Sequence, residues 1–258
     1  MVNILETNKT SIIIAAAGEA SRLQQSLSKQ FIMLDGKPLL IHCIEKFSML
    51  ENIIEIVVIT NEIPLTNKLL DDYLPKDLIK KIKIVLGGKL RKDSVYNGFL
   101  QLLLPTDLVL IHDVARPLFK LNDVKKCIKA AALTGAAVLA VPVVDTLKKG
   151  KFDKDVLLVE ETINRENLYI IQTPQIIRYE LLSGAYKMFT SLNNSQINFT
   201  DEAKLIELFG KPVNLVIGSK KNIKITYPED LEIAEAIFNE EKNLKIERKV
   251  LTADRTNN

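Results

Sequence analysis

The 258 residues carry 47% hydrophobic side chains, enough to bury a full core, and the length suits one α/β domain or two small ones. Thirty-five basic and 32 acidic residues leave a net charge of +3, near balance, which excludes a field strong enough to imply nucleic acid or a membrane as partner. Anionic ligands must be held by local clusters. Cys43 and Cys127 sit in apolar stretches outside any CxxC or Cys/His spacing, so reduced buried thiols in a cytoplasmic compartment, or an equivalent organelle interior, are expected. Met1–Thr10, with Glu6 and Lys9 and no apolar run before Ile12, reads as neither signal nor transit peptide.

In chain order, SIIIAAA (Ser11–Ala17) is an unbroken apolar run, suited to a strand covered on both faces. Similar runs follow at Ile54–Thr60, Ile82–Leu86, Leu108–His112 and Ala136–Val141. Helical patterns fill the gaps at Pro38–Leu50, Thr66–Lys80, Ser94–Leu104 and Asn122–Leu133. The alternation predicts an α/β fold, an open and mostly parallel Rossmann-like sheet with helices on both faces. Pro142–Asn167 is charged throughout, with a turn expected at Gly150, and reads as a projecting β-hairpin arm that pairs with a second subunit. Leu168–Asn243 returns to helices and short strands, with a helix from Pro228 through Phe238, and the polar tail from Lys245 is expected to fray. A single domain over residues 1–243 is expected.

Chemistry-bearing residues cluster where strands end. Ala15–Lys29 combines small residues, which let backbone approach a ligand, with Arg22 and Lys29, a candidate phosphate cradle. Gly18 is the sole glycine between Ser11 and Asp35, so neither the Walker pattern nor the dinucleotide fingerprint is present. By residue chemistry alone a plain β-to-α turn fits equally. Asp113 in LIHDVARP closes a buried strand, where open α/β sheets bind ligands, and a carboxylate there suits Mg²⁺; a helix cap or turn is the other reading. Gly87-Gly88 lets backbone reach a base edge or simply turns the chain, and Asp93 or Ser94 can cap the helix that follows. Lys224, in NIKIT, is expected in a short strand, and Thr200-Asp201-Glu202 at a helix start. His42 and His112 read as satisfied structural histidines.

Together, AAAGxxxR with SKQF, GGxxRxDSV, HDxARP, PVxDTxK, INREN, QTPQ, TDEA and NIKITxPED resemble, in content and order from Ser11 to Phe238, the 2-C-methyl-D-erythritol 4-phosphate cytidylyltransferases of the non-mevalonate isoprenoid pathway. The resemblance implies that Ala16, Ala17 and Gly18 contact CTP through backbone and that Arg22 and Lys29 hold its phosphates. It also implies that Gly87, Gly88 and Ser94 read cytosine and ribose, that Asp113 takes Mg²⁺ and that Lys224 acts at the α-phosphate. Arg116, Thr146 and Arg165 would bind the methylerythritol phosphate, the last two reaching across a homodimer. The likeness lapses at Glu19–Ser21, where the family commonly has a second glycine, and at Lys89, where an acidic residue is usual. Two other functions fit the pattern: a ribitol 5-phosphate or other polyol phosphate cytidylyltransferase, and a nucleotide-binding regulatory module without turnover.

Overall fold

A computed structural model describes residues 8–18, 28–191 and 199–256, the stretch 245–256 by its backbone alone. The chain opens with β1 (Thr10–Ala15). After residue 28 come a short 3-10 turn (Lys29–Phe31), a small hairpin of β2 (Met33–Leu34) and β3 (Lys37–Pro38), and α1 (Leu39–Ser48). Then follow β4 (Ile53–Thr60), α2 (Ile63–Tyr73), α3 (Lys76–Ile79), β5 (Ile82–Leu86), α4 (Arg91–Phe99), β6 (Leu108–Asp113), α5 (Leu121–Thr134) and β7 (Ala136–Pro142). The chain continues with β8 (Leu147–Asp153), β9 (Val156–Ile163), β10 (Tyr169–Arg178), α6 (Tyr179–Ser191), α7 (Glu202–Leu208), β11 (Asn214–Ile217) and α8 (Pro228–Thr256).

The central sheet runs β11-β7-β10-β6-β1-β4-β5. Every pairing in it is parallel except those of β10, which is antiparallel to both β6 and β7. Successive strand residues face opposite ways, so Ile12 and Ile14 enter one apolar layer with α1, α5 and α8, while Ile13 enters another with α4, α6 and α7. Both faces are therefore covered, as the unbroken apolar strands require.

Several local departures have physical causes. The helix expected over Thr66–Lys80 begins earlier, with Pro64 in its first turn, and breaks at Leu74-Pro75. Leu74 is extended (φ −116°, ψ 148°) because a following proline disfavours helical backbone. The hairpin of β8 and β9 turns at Lys154 (φ 54°), not at Gly150, which instead sits in a bulge beside Leu157. Asn222–Thr226 is irregular rather than a strand; Ile225 N–H donates to the Ala115 carbonyl at 2.8 Å and its side chain is buried. The last helix passes Phe238, where it was expected to stop, and runs to Thr256. Phe238 meets the His42 ring edge-on at 5.1 Å and Lys242 pairs with Asp35 at 3.0 Å, contacts that extend the helix's anchorage.

Candidate active site

β1 lies between β4, reached by one crossover, and β6, reached by a chain that returns to its other side. Such a reversal opens a crevice at the carboxyl ends of the strands. A cleft of about 490 Å³ occupies it. Ala15 ends β1 with Ala17 and Gly18 beyond it, Asn61 follows β4, Gly88 to Arg91 follow β5, and Asp113 ends β6 with Val114 and Ala115 beyond it; Lys29, Ser94 and Lys224 complete the lining.

Gly87 and Gly88 are held by close packing, not by an unusual backbone angle. A Cβ at Gly87 would lie 2.5 Å from Ala17 Cβ and 2.6 Å from Asn61 Oδ1, and one at Gly88 would lie 2.6 Å from Asp93 Cβ. Ser94 Oγ accepts from Gly88 N–H at 2.9 Å and donates to the Leu90 carbonyl at 3.0 Å, so its hydroxyl shapes the loop as well as facing the cleft. Asp93 accepts the Leu90 N–H at 3.1 Å and closes the first turn of α4. Asn61, which no sequence motif singled out, donates to the Ala17 carbonyl at 3.2 Å and ties the first loop to β4.

Asp113 is the electrostatic centre. Its Oδ1 accepts from Arg91 Nε at 3.1 Å and its Oδ2 from Lys224 Nζ at 2.7 Å. Burial alone would raise this carboxyl, but the adjacent charges of Arg91 and Lys224 prevail and hold it well below the usual carboxylate range. It is ionised throughout the physiological range. Arg91 reaches onward through Nη1 to Glu202 Oε2 at 3.0 Å, and Glu202 is fully buried at the start of α7. Burial raises the Glu202 carboxyl, and the Arg91 charge offsets only part of that. The sequence reading assigned roles to neither residue; the R of GGxxRxDSV and the E of TDEA were visible, but nothing in sequence says that they meet.

A smaller cavity of about 130 Å³ shares Arg91, Asp113 and Lys224 with the cleft and is otherwise lined by Arg116, Ile171, Gln172, Thr173, Gln175, Thr200 and Asp201. Arg116 donates to the Asn222 carbonyl at 2.8 Å, and Asn222 donates to Gln172 Oε1 and the Thr173 carbonyl, which fastens the irregular segment bearing Lys224 against β10. Asp201 accepts from Lys204 N–H as the cap of α7 and from Gln175 Nε2 at 2.9 Å. The histidines are structural, as expected: His42 bonds the Leu34 carbonyl and His112 the Arg116 carbonyl and Thr173. Both cysteines are free and buried, and burial pushes the Cys43 thiol up to about 12.

The structure thus gathers Ala17, Gly18, Lys29, Gly88, Ser94, Asp113 and Lys224 in one cleft and sets Arg116 in the adjoining cavity. Ala16 is buried behind the lining, its N–H bonded to the Ile59 carbonyl at 2.9 Å. Arg22 and the Glu19–Ser21 departure lie outside the described residues. Thr146 and Arg165 are exposed at the base of the β8–β9 hairpin and line neither cavity; Arg165 is bonded to the Val144 carbonyl.

Among the described residues no cluster of three or more His, Cys, Asp or Glu is positioned to cage a metal, and no helix is long and apolar enough to cross a membrane. A single ionised carboxylate facing a cationic cleft nevertheless fits Mg²⁺, which takes one or two carboxylates and fills its remaining positions with phosphate oxygens and water.

The chain is similar to known proteins over most of its length. The family model for 2-C-methyl-D-erythritol 4-phosphate cytidylyltransferase matches residues 10–240. A protein of that name from Pelotomaculum thermopropionicum is 40% identical over 235 residues, covering 90% of this chain and 94% of its own. The solved 4-diphosphocytidyl-2C-methyl-D-erythritol synthase of Anaerococcus prevotii superposes with a TM-score of 0.75 at 29% identity, covering 92% of this chain and 98% of its own. The 2-C-methyl-D-erythritol 4-phosphate cytidylyltransferase of Francisella tularensis does so with a TM-score of 0.72 at 32% identity, covering 88% and 98%. Fold and sequence converge, and the chain belongs to the 2-C-methyl-D-erythritol 4-phosphate cytidylyltransferase family.

Proposed function

We propose that this chain, working in the cytoplasm, transfers the cytidylyl group of CTP to 2-C-methyl-D-erythritol 4-phosphate, releasing pyrophosphate and the CDP-alcohol of the non-mevalonate isoprenoid pathway. The observation that carries the reading is the meeting of two cavities at Arg91, Asp113 and Lys224. The larger takes the nucleotide and the smaller the alcohol phosphate, so the α-phosphate and its attacker meet at those shared residues.

The attacking phosphate is already an anion, so no general base is required; the barrier lies in bringing two anions together while charge moves to the leaving pyrophosphate. Backbone at Ala17, Gly18 and Gly88 seats the nucleotide, with Ala16 and Gly87 packed behind them and Ser94 at the base and ribose. Lys29, with Arg22, holds the phosphates. Lys224 has three N–H donors and uses one on Asp113, which leaves others for the α-phosphate. Arg116 holds the alcohol phosphate. Asp113 would hold Mg²⁺, which would supply further neutralisation of that charge. Thr146 and Arg165 serve the alcohol from the partner subunit of a homodimer formed through the hairpin, a role supported by their exposure outside the lining of this chain's own cavities and by exposed apolar side chains on the hairpin, Phe152 (70% exposed) and Val159 (63%) among them.

Pyrophosphate release with CTP, Mg²⁺ and methylerythritol phosphate tests the assignment. Turnover with ribitol 5-phosphate alone moves it to the polyol phosphate enzymes, and CTP binding without turnover on either alcohol moves it to a regulatory module. In the same assay, K29A and K224A each lower kcat by roughly 10²–10³-fold, the range for removing one electrostatic stabiliser of a transition state, while CTP binding changes far less. Wild-type kcat in both variants contradicts the assigned roles.

A further inference from the structure

Glu202 has no part in the reaction as described, yet its carboxylate is fully buried, and a buried charge persists only where a partner compensates it. Its Oε2 accepts from Arg91 Nη1 at 3.0 Å, and its Oε1 has no hydrogen-bond partner among the described residues. Arg91 does not present both of its outer nitrogens to one acid. It spans two, Nε on Asp113 Oδ1 at 3.1 Å and Nη1 on Glu202, with the Thr200 carbonyl at 3.5 Å. Charges therefore alternate along one line: Glu202, Arg91, Asp113, Lys224.

We propose that Glu202, acting through Arg91, is a positioning residue that divides the guanidinium between two carboxylates, so that Arg91 fixes Asp113 by Oδ1 alone and leaves Oδ2 open to exchange between Lys224 and a divalent cation. The inference rests on the reading that Asp113 takes the cation. Without the Glu202 charge, Arg91 is drawn wholly to Asp113 and an uncompensated positive charge stands beside the metal position; both changes oppose a dication there. A clamp that merely joined α7 to α4 would have no preference between metal-bound and metal-free nucleotide.

The test compares, in the full chain and with no alcohol phosphate present, the affinity for CTP with Mn²⁺ and with EDTA by calorimetry. The ratio of the two affinities is the readout. E202Q, which keeps size and loses charge, lowers that ratio by about tenfold, the lower end for loss of a group that orients a metal ligand. D113N brings the ratio near unity, and adding E202Q to D113N lowers it no further. If E202Q does not fold by circular dichroism, R91K carries the test, because a lysine keeps the charge but cannot span both acids with a planar fork. Affinities that fall together at an unchanged ratio in E202Q, or in R91K where it replaces it, overturn the inference while D113N still collapses the ratio. A D113N protein that keeps the wild-type ratio overturns the cation reading and this inference with it.

Discussion

His112, the penultimate residue of β6, has no solvent exposure and packs edge-on against Phe47 and Phe119 at 5.0 and 4.8 Å. Its partners set its tautomer. The Arg116 carbonyl can only accept, so Nε2 carries the proton; Thr173 Oγ accepts the Asp113 N–H and gives its own proton to Nδ1. The neutral ring so held joins Asp113, which lines both cavities, to Arg116, which lines the smaller. Burial pushes this imidazole down from 6.5 to about 3, against a smaller opposing pull from Asp113. The unfolded chain takes up a proton near 6.5 and the folded one does not until about 3, so stability is lost as pH falls through that interval. Between pH 7 and pH 5 the loss from this one group is about 2 kcal/mol. His42, lowered by burial, contributes with the same sign. Urea unfolding across that range is expected to show the decline, and H112Q to flatten it whatever its absolute stability; an equally steep decline in H112Q contradicts the account.

The loop from β5 to α4 shows how a short element makes a binding surface. Gly87 lies against Ala17 and Asn61, which belong to two other strand ends, so its missing Cβ is what lets three loops converge. G87A therefore overpacks the cleft wall, a change that costs about 1–3 kcal/mol where the surroundings must shift. CTP affinity measured by calorimetry is expected to fall about tenfold or more, with a smaller effect on methylerythritol phosphate; unchanged CTP affinity removes Gly87 from the nucleotide site. The strands around this loop were legible because short apolar-rich runs such as IKIVL, followed by turn residues such as Gly87-Gly88, are too brief for a helix. β10 was not. Its centre holds Gln172, Thr173, Pro174 and Gln175, polar groups and a proline that argue against a central strand, and its pairing shifts register between Ile171 and Gln175. Those polar groups are satisfied from far away, by the Ser219 carbonyl, Asn222, His112 and Asp201, partners that local periodicity cannot display.

At the scale of the whole molecule, the hairpin of β8 and β9 forms a sheet of its own, separate from the central one. Val156, Leu157, Leu158 and Val159 are all at least half exposed, and such consecutive apolar residues occupy both faces of the strand. In the proposed homodimer they are covered. L157D and V159K together are expected to shift sedimentation from dimer to monomer and to abolish turnover of methylerythritol phosphate while CTP binding persists, because the cleft belongs to one chain and Thr146 and Arg165 stand outside it. Sedimentation as a monomer in the wild-type protein contradicts the arrangement.

The sequence by itself determined the α/β alternation, the strands that had to be buried on both faces, and half of the residues that line the cleft, because each depends on neighbours close in the chain and on motifs in a set order. Tertiary structure alone decided the place of β10 between β6 and β7 and the irregular path that carries Lys224. It also decided the line from Glu202 through Arg91 and Asp113 to Lys224, whose two outer contacts each span 111 residues and whose middle one spans 22. Hydrophobic periodicity says which face of an element is covered. Which charges then meet depends on how the crossovers stack those elements, and in a buried site that meeting decides which charges survive.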